Sequence, residues 1–267
     1  MKKAISLILI VSIFFTNVSS VIYAYQLDAR PPSVSPSEVL ERFREIFANS
    51  ARTYFRVPEA AHVALLPPPV VLVNRDNPLE RYFRPENMID ISGYVRSQRT
   101  PMLLEENAAN AFIKMIASMH EYGITNIAAI SGFRDWDRQN ILHNNQVHFW
   151  TRHLPIEEAR ERAATVVAPP GASEHQTGLA IDVSSACIGF ALSERFEQTE
   201  GFRWLSENAH TYGFIIRYPR GSTEITGVIF EPWHLRYVGT DHATRIFEAG
   251  VTLEEYLNMY MLGAWSE

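Results

Sequence analysis

Cysteine, basic runs and phosphate-binding loops are scarce or missing in this sequence. One cysteine, Cys187, is present among 267 residues, so an internal disulfide and a sulfur-rich zinc site are excluded. In the context SSACIGFAL, this cysteine is expected to be a small buried residue. The formal net charge is −6, and no basic run or phosphate loop occurs, so we predict no nucleic-acid partner. With 46% hydrophobic residues, the chain is expected to be globular with an ample core.

The longest apolar run lies at the N-terminus, where two lysines precede residues 4–15. This order, followed by small residues that end near Ala24, is typical of a secretory signal. The run is shorter than the ~20 residues that a membrane span needs, although residues 4–24 together could serve as an uncleaved membrane anchor. We therefore expect residues 1–24 to be a signal peptide or signal anchor, and the protein to be exported to the cell envelope or secreted.

Proline-rich stretches separate residues 25–68 from the rest of the chain. The stretch DARPPSVSPSEVLERFREIFANS begins as a linker and then becomes helical, because Ser35 and Glu38 form a capping box and Pro36 takes the first helical position. Apolar residues then recur at helical spacing. A second proline cluster, LLPPPVVLVN, predicts a boundary near residue 68. We interpret residues 25–68 as a linker and N-terminal helical extension.

Residues 69–267 mix helical and strand patterns. Helices are predicted in ENAANAFIKMIASMHEYG, over residues 136–148 and 156–164, in GFRWLSENAHTYG, and from Thr252, whose capping partner is Glu255. Strands are predicted in ITNIAAIS, GLAIDVSS, FIIRYP and WHLRYVG. Because the two kinds of element do not alternate regularly, we expect an α+β fold with a small, mainly antiparallel sheet and flanking helices.

Two histidines and an aspartate lie in segments suited to metal binding. In GASEHQTGLAIDV, His175 lies in a turn-rich segment, and Asp182 lies in a strand with its carboxylate on the opposite face from its apolar neighbours. In FEPWHLRYVG, His234 opens a strand, and Pro232 disfavours a regular central strand there, so a bend can turn Glu231 toward the same cavity. Taken singly, the histidine could be a core residue and the glutamate a surface carboxylate.

Three motifs carry a resemblance to a known family. SEHQTGLAIDV and EPWHLRYVG resemble the zinc-site motifs S-x-H-x-x-G-x-A-x-D and E-x-x-H of the VanY-type D-alanyl-D-alanine carboxypeptidases, which are related to D-Ala-D-Ala dipeptidases, L,D-carboxypeptidases and the Hedgehog signalling domain. SGFRDWDRQ resembles the third motif, S-G-[YF]-R-x-x-x-x-Q, although Asp135 and Trp136 stand where a small residue and a tyrosine are commoner. VLVNRDNPL resembles the usual domain opening. The resemblance covers about residues 70–240 and implies a Hedgehog/D,D-peptidase-like zinc domain, here over residues 69–267.

The resemblance implies one zinc ion per chain. It makes His175, Asp182 and His234 the zinc ligands and Glu231 the catalytic base. Zinc with three protein ligands keeps a position open for water and lowers the pKa of that water to ~7, which suits amide hydrolysis at neutral pH.

The resemblance also implies groups that contact the substrate. It makes Arg134 a catalytic residue that stabilises an oxyanion or clamps a terminal carboxylate, whereas from the residues alone it could be a structural arginine paired with Asp135 or Asp137. Ser173 and Gln139 become substrate-binding donors, although each could instead be a turn or helix cap.

The resemblance, together with the N-terminal signal, implies an exported zinc D,D-carboxypeptidase that removes the terminal D-alanine from peptidoglycan stem peptides. The alternatives are an L,D-carboxypeptidase that acts on stem tetrapeptides and a non-catalytic zinc-containing module that binds the cell wall. No obligate protein partner is predicted. Arg217 and Arg220, in FIIRYPRG, are expected to be solvated surface charges, or else charges that attract an acidic muropeptide.

Overall fold

The computed structural model describes residues 69–261, and all structural statements below concern those residues. The predicted signal segment, residues 1–24, and the predicted linker and helical extension, residues 25–68, lie outside the described residues and stay predictions. The domain boundary at residue 69 stays a prediction as well. No helix within residues 69–261 combines the length and apolar character needed to cross a membrane.

The described residues form two small β-sheets, and helices lie between their strands in the sequence. The strands are β1 Met88–Asp90, β2 Leu103–Glu105, β3 Ile127–Ser131, β4 Ala180–Ser185, β5 Phe214–Tyr218 and β6 Glu231–Tyr237. The α-helices are α1 Glu106–Glu121, α2 Trp136–Trp150, α3 Ile156–Ala164, α4 Glu200–Asn208, α5 Thr223–Thr226, α6 Thr240–Ala249 and α7 Leu253–Met261. Strands β1 and β2 pair antiparallel, and the other four form one antiparallel sheet in the order β3-β4-β6-β5.

The register of the larger sheet places two of the three candidate metal ligands side by side. Asp182 of β4 lies opposite His234 of β6, and residues directly opposite across an antiparallel pair have neighbouring side chains. The pairing of β5 with β6 is irregular, because Ile216 pairs with Leu235 but Tyr218 pairs with Glu231. Five residues of β6, 231–235, are thus matched by three of β5, 216–218, and Pro232 lies within this irregular part. Strand β6 begins at Glu231, so Pro232 lies inside this internal strand and His234 does not open it as predicted, but the expected interruption of regular pairing is present in the irregular register with β5.

Helix α1 supplies much of the core beneath the sheet. It begins where the side chain of Glu105 accepts hydrogen bonds from the backbone amides of Asn107 and Ala108, and it ends before Gly123, whose φ of 82° is in the left-handed region. Its apolar face is buried, and Phe112 meets Phe214 of β5 edge to face at 6.0 Å between ring centroids. The core cluster also includes residues from β2, β4 and β6: Leu104, Ile181, Val183 and Leu235.

The predicted fold class is confirmed, and so are most of the predicted elements. Residues 156–164 form α3 as predicted, and α2 continues two residues past the predicted end, to Trp150. The capping box before α7 is present, because the Glu255 carboxylate accepts from the Thr252 amide at 2.8 Å and the Thr252 hydroxyl accepts from the Glu255 amide at 3.2 Å. The propensity and capping signals of the sequence were therefore consistent with the tertiary structure.

The prediction for Cys187 was wrong, because this residue is exposed. It lies in a single 3-10 turn, Ala186–Ile188, immediately after β4 leaves the sheet. Its sulfur accepts a hydrogen bond from the Asn126 side chain at 3.1 Å. The apolar neighbours of the cysteine in the sequence suggested burial, but the chain turns outward at this point.

Candidate active site

A short turn carries the first candidate ligand to the end of the central sheet. His175 lies in the 3-10 turn Glu174–Thr177, which is closed by Gly178 at a φ of 70°. The Thr177 hydroxyl donates to the Glu174 carbonyl at 2.6 Å and accepts from the Leu179 amide at 3.0 Å, so the turn is fixed to the start of β4. A side chain at Gly178 would meet the Glu105 amide nitrogen at 2.9 Å, so a glycine is needed on two counts.

Three buried side chains converge at this end of the sheet. Asp182 lies between two imidazole rings, with His175 Nε2 at 3.2 Å from Oδ2 and His234 Nδ1 at 2.9 Å from Oδ1. The two rings are nearly perpendicular, with centroids 4.9 Å apart. One ligand atom from each of the three residues lies within 4.8 Å of the others, so this His/Asp/His group could hold a metal ion.

The ring of His175 is held in one orientation by the backbone. Its Nδ1 lies 2.8 Å from the carbonyl oxygen of Gly132, so Nδ1 carries a proton, while Nε2 faces Asp182. A glycine is needed at position 132, because a Cβ there would meet the Leu103 carbonyl oxygen at 2.5 Å. A neutral imidazole with a free Nε2 is the form that binds metals.

Electrostatics within the group favour a charged aspartate. Burial disfavours the ionised form of Asp182, but the charge and hydrogen bond of His175, and those of His234, hold the pKa of Asp182 well below its usual range. Burial and the charge of Arg134 lower the pKa of His175. Burial opposes protonation of His234, but its interactions with Asp182 and Glu174 outweigh this effect and raise its pKa to about 9.

Glu231 borders the group without belonging to it. Its Oε2 lies 3.9 Å from His234 Nδ1, so Glu231 and His234 do lie on the same side, as predicted. Burial raises the pKa of Glu231 to about 8, against an ordinary value of 4.5. A carboxyl group that exchanges a proton near neutral pH, beside a group that could hold a metal, is suited to general acid–base chemistry.

Arg134 is half-buried near the same carboxylates. Burial lowers the pKa of Arg134, and the negative charges of Asp182 and Glu231 act in the opposite direction and raise it. The structural pairing considered for this arginine is absent from the described residues, because Asp135 caps α2 by accepting from the Arg138 amide and Asp137 pairs with Arg81 at 2.8 Å. Arg134 Nε is buried and has no hydrogen-bond partner within residues 69–261.

Ser173 and Gln139 are both buried, at 5% and 2% exposure. Ser173 lies directly before the turn that carries His175, and its side chain makes no capping hydrogen bond there. Gln139 lies in the first turns of α2, where its Nε2 donates to the Ala168 carbonyl at 2.6 Å. The Oε1 atom of Gln139 has no partner in the part of the chain that the structure describes. Neither side chain acts as a cap.

A buried ion network behind His234 escaped the sequence analysis. Arg217, which was expected at the surface, is 1% exposed: its Nε donates to Glu174 at 2.7 Å, and its other two nitrogens donate to Glu254 at 2.8 and 2.6 Å. Arg236 donates to the same Glu174 oxygen at 2.8 Å. Arg220 remains exposed as expected and pairs with Glu194 and Glu197. The one available signal was an arginine inside the apolar strand FIIRYP.

Known proteins resemble this chain in sequence. Residues 101–240, slightly more than half of the chain, match the family model of VanY, D-alanyl-D-alanine carboxypeptidase. The protein YodJ of Bacillus subtilis (strain 168) is 38% identical over 189 residues, which are 70% of this chain and 66% of YodJ. A D-alanyl-D-alanine carboxypeptidase of Enterococcus faecalis is 36% identical over 190 residues, which are 71% of this chain and 65% of that protein. The chain thus spans slightly less than two thirds of the length of these relatives.

Solved structures resemble it in fold as well. The LdcB LD-carboxypeptidase has 37% identity and a TM-score of 0.63, over 71% of this chain and 86% of that one. VanYB in complex with D-alanine-D-alanine has 34% identity and a TM-score of 0.61, over 71% and 97%. A mutant of a VanY D,D-pentapeptidase in complex with Zn(II) has 34% identity and a TM-score of 0.58, over 71% and 98%. These likenesses agree with the predicted fold and with zinc as the predicted cofactor.

Proposed function

This chain belongs to the VanY family of D-alanyl-D-alanine carboxypeptidases, and on that premise we propose that it is a zinc D,D-carboxypeptidase that acts on peptidoglycan stem peptides. It would remove the terminal D-alanine from stems that end in D-Ala-D-Ala. One observation carries the proposal. A buried His/Asp/His group that could hold a metal lies beside a separate buried carboxyl group, that of Glu231, whose pKa is raised to about 8.

We assign His175, Asp182 and His234 as the ligands of one zinc ion per chain. Two imidazole nitrogens and one carboxylate oxygen are a donor set that zinc accepts, and three protein ligands leave a position for water or substrate. The hydrogen bond from His175 Nδ1 to the Gly132 carbonyl supports the assignment, because it orients the free nitrogen. When bound, zinc supplies a Lewis acid that polarises a carbonyl group and lowers the pKa of water at the site.

We assign Glu231 as the general base and acid. In the proposed reaction its carboxylate takes a proton from the attacking water and returns it to the departing amine of D-alanine. Burial holds the pKa of Glu231 at about 8 in the metal-free protein, and this pKa would fall beside a bound cation, which favours the ionised base. Because a carboxyl group with these properties is retained, a non-catalytic zinc module is the weaker reading.

We assign Arg134, Ser173 and Gln139 to substrate binding. A guanidinium can bind the terminal carboxylate bidentately or stabilise charge on the scissile carbonyl oxygen. Its Nε, like Gln139 Oε1, is buried without a hydrogen-bond partner in the described residues, so both atoms are available to a bound peptide. Ser173 adds a third buried polar side chain next to His175.

An L,D-carboxypeptidase that acts on stem tetrapeptides is the second candidate. The specific observation in its favour is the likeness to the LdcB LD-carboxypeptidase, at 37% identity and a TM-score of 0.63. The same metal group and base would serve either reaction. We also propose that the protein is exported, since residues 1–24 have the order of a secretory signal or signal anchor.

Mass spectrometry of two synthetic stem peptides distinguishes these functions. Zinc-loaded protein is incubated with a pentapeptide that ends in D-Ala-D-Ala and with the matching tetrapeptide, and Glu231→Gln is the control. Loss of one alanine from the pentapeptide alone, about 10²–10⁴-fold slower in the control, is the expected result. Loss from the tetrapeptide alone would move the protein to the L,D class. Cleavage of neither, with zinc bound, would refute the carboxypeptidase proposal.

A further inference from the structure

The carboxylate of Glu174 connects the candidate metal group to the buried ion network. Glu174 directly precedes His175 in the sequence, but its side chain faces the other candidate ligand histidine, His234. Glu174 is 1% exposed. Its two oxygens have separate surroundings. Oε1 accepts from Arg217 Nε at 2.7 Å and from Arg236 at 2.8 Å, whereas Oε2 lies 3.5 Å from His234 Nε2.

These two facing atoms have no other partner among the described residues. Both Glu174 Oε2 and His234 Nε2 are fully buried, and neither makes a hydrogen bond within residues 69–261, so each is the facing polar atom of the other at 3.5 Å. A buried ring nitrogen and a buried carboxylate oxygen without partners are costly, because both have lost water. The simplest explanation of this arrangement is that His234 Nε2 is the donor and Glu174 Oε2 is the acceptor.

The position of Glu174 is fixed independently of His234. Arg236 also donates from its other nitrogens to the carbonyls of Pro69 and Val71, at 2.9 and 2.7 Å, and to that of Tyr237 at 3.1 Å. Arg217 is held from its far side by Glu254. Because both arginines are tied to other parts of the fold, the Glu174 carboxylate is presented to His234 as a fixed acceptor.

We propose that Glu174 is a positioning residue, which accepts the Nε2 proton of His234 and so directs the lone pair of Nδ1 to the metal. An imidazole that donates from one nitrogen to a carboxylate has its tautomer set and its other nitrogen made more basic. This gives the two histidines different supports: a backbone carbonyl for His175, through Nδ1, and a carboxylate for His234, through Nε2. The inference rests on the proposed zinc ligands.

A purely structural role for Glu174 makes a different prediction. The two arginines contact Oε1, so their ion pairs do not require Oε2 to face the histidine. If Glu174 served only to neutralise them, replacing Glu254, the other carboxylate on Arg217, would disturb the site in the same way. Glu254→Gln is therefore the matched control for Glu174→Gln, since each removes one carboxylate charge from the network.

The test is zinc affinity, measured by chelator competition, together with circular dichroism to establish folding. Glu174→Gln should weaken zinc binding by about 10–100-fold, whereas Glu254→Gln should keep it within about threefold of the wild type. Equal weakening in the two variants, or none in Glu174→Gln, would overturn the proposal. Asp182→Asn tests the proposed zinc ligands separately from the role of Glu174. If this variant binds zinc as tightly as the wild type, the ligand assignment itself fails and this inference fails with it.

A second measurement needs no variant and applies even where Glu174→Gln does not fold. Nitrogen-15 NMR of the zinc-loaded wild type reports which ring nitrogen of His234 carries the proton. We expect a proton on Nε2 that exchanges slowly with solvent, because that atom is buried against Glu174. A proton on Nδ1, with the metal on Nε2, would overturn the proposal.

Discussion

The two sides of the candidate active site are built differently. On the metal side, which comprises His175, Asp182, His234 and Glu174, the buried polar side chains face one another or the backbone at short range. The two unpartnered atoms of the metal side, Glu174 Oε2 and His234 Nε2, face each other at 3.5 Å. On the proposed substrate side, which comprises Arg134 and Gln139, Arg134 Nε and Gln139 Oε1 are buried without a partner in the described residues. We propose that the metal side contains its own supports, whereas the substrate side has a donor and an acceptor that a bound peptide would complete. On this proposal, the difference separates the residues that would hold zinc from those that would recognise a peptide.

The largest effect is expected on the metal side. Asp182→Asn removes the charge that both histidines face, so zinc should be lost and peptide cleavage should fall below detection, because the site has only three candidate ligands. Zinc content by mass spectrometry and D-alanine release check this outcome. Full zinc content in a folded Asp182→Asn protein would show that the metal lies elsewhere.

Arg134→Met should damage catalysis while leaving the metal side intact. We expect unchanged zinc affinity and a fall in kcat/KM of about 10²–10³-fold, the usual effect of losing one charged contact to the transition state. A rise in KM with little change in kcat would assign Arg134 to the terminal carboxylate, and a fall in kcat would assign it to the carbonyl oxygen. Loss of zinc from this variant would contradict the separation between the two sides.

The stability of the metal-free protein should decline as the pH rises from about 4.5 to 9, between the ordinary pKa values of Glu231 and His234 and their raised values in the fold. The folded-state pKa values of Glu231 and His234 are raised to about 8 and about 9, so their protonated forms stabilise the fold at low pH. This stability is lost as the pH passes through those values, which should cost about 2 kcal/mol or more of the free energy of unfolding.

Urea unfolding at several pH values, with and without zinc, tests this dependence. Zinc should flatten the decline, because a cation at the site favours the ionised carboxyl and competes with the proton on the imidazole. Parallel curves for the two forms would indicate that neither group lies beside the metal.

Two glutamates that pair with arginines should differ in their contribution to stability. Glu254→Gln breaks a buried pair with Arg217 and should lower the free energy of unfolding by about 3 kcal/mol. Glu197→Gln weakens an exposed pair with Arg220 and should leave the melting temperature within about 1 °C. Thermal denaturation of both variants checks this, and equal effects would mean that the buried network is not specially stabilising.

The sequence predicted the metal side only in part. His175 and Asp182 lie in one motif, and the interruption expected at Pro232 allowed Glu231 and His234 to be grouped, but it was the family resemblance that assigned the four residues to one site. Glu174 could not be recognised, because its partners Arg217 and Arg236 lie 43 and 62 residues away in the chain. Their pairing depends on the order of the strands, which no local pattern specifies.

Burial was the property that the sequence predicted least well. Cys187 looked apolar and is exposed, whereas Arg217 looked like surface charge and is enclosed. In both cases the outcome is decided by where a strand ends relative to its neighbours. An arginine can be buried only where acidic partners meet it, and those partners are distant in sequence.

Zinc titration of the metal-free protein, followed by D-alanine release from a D-Ala-D-Ala pentapeptide, tests the central claim most directly. We predict no release without metal and a linear rise that stops at one zinc per chain. In Glu231→Gln, the same single zinc should bind without comparable release. Release by the metal-free protein, or equal release by the glutamine variant, would contradict the account.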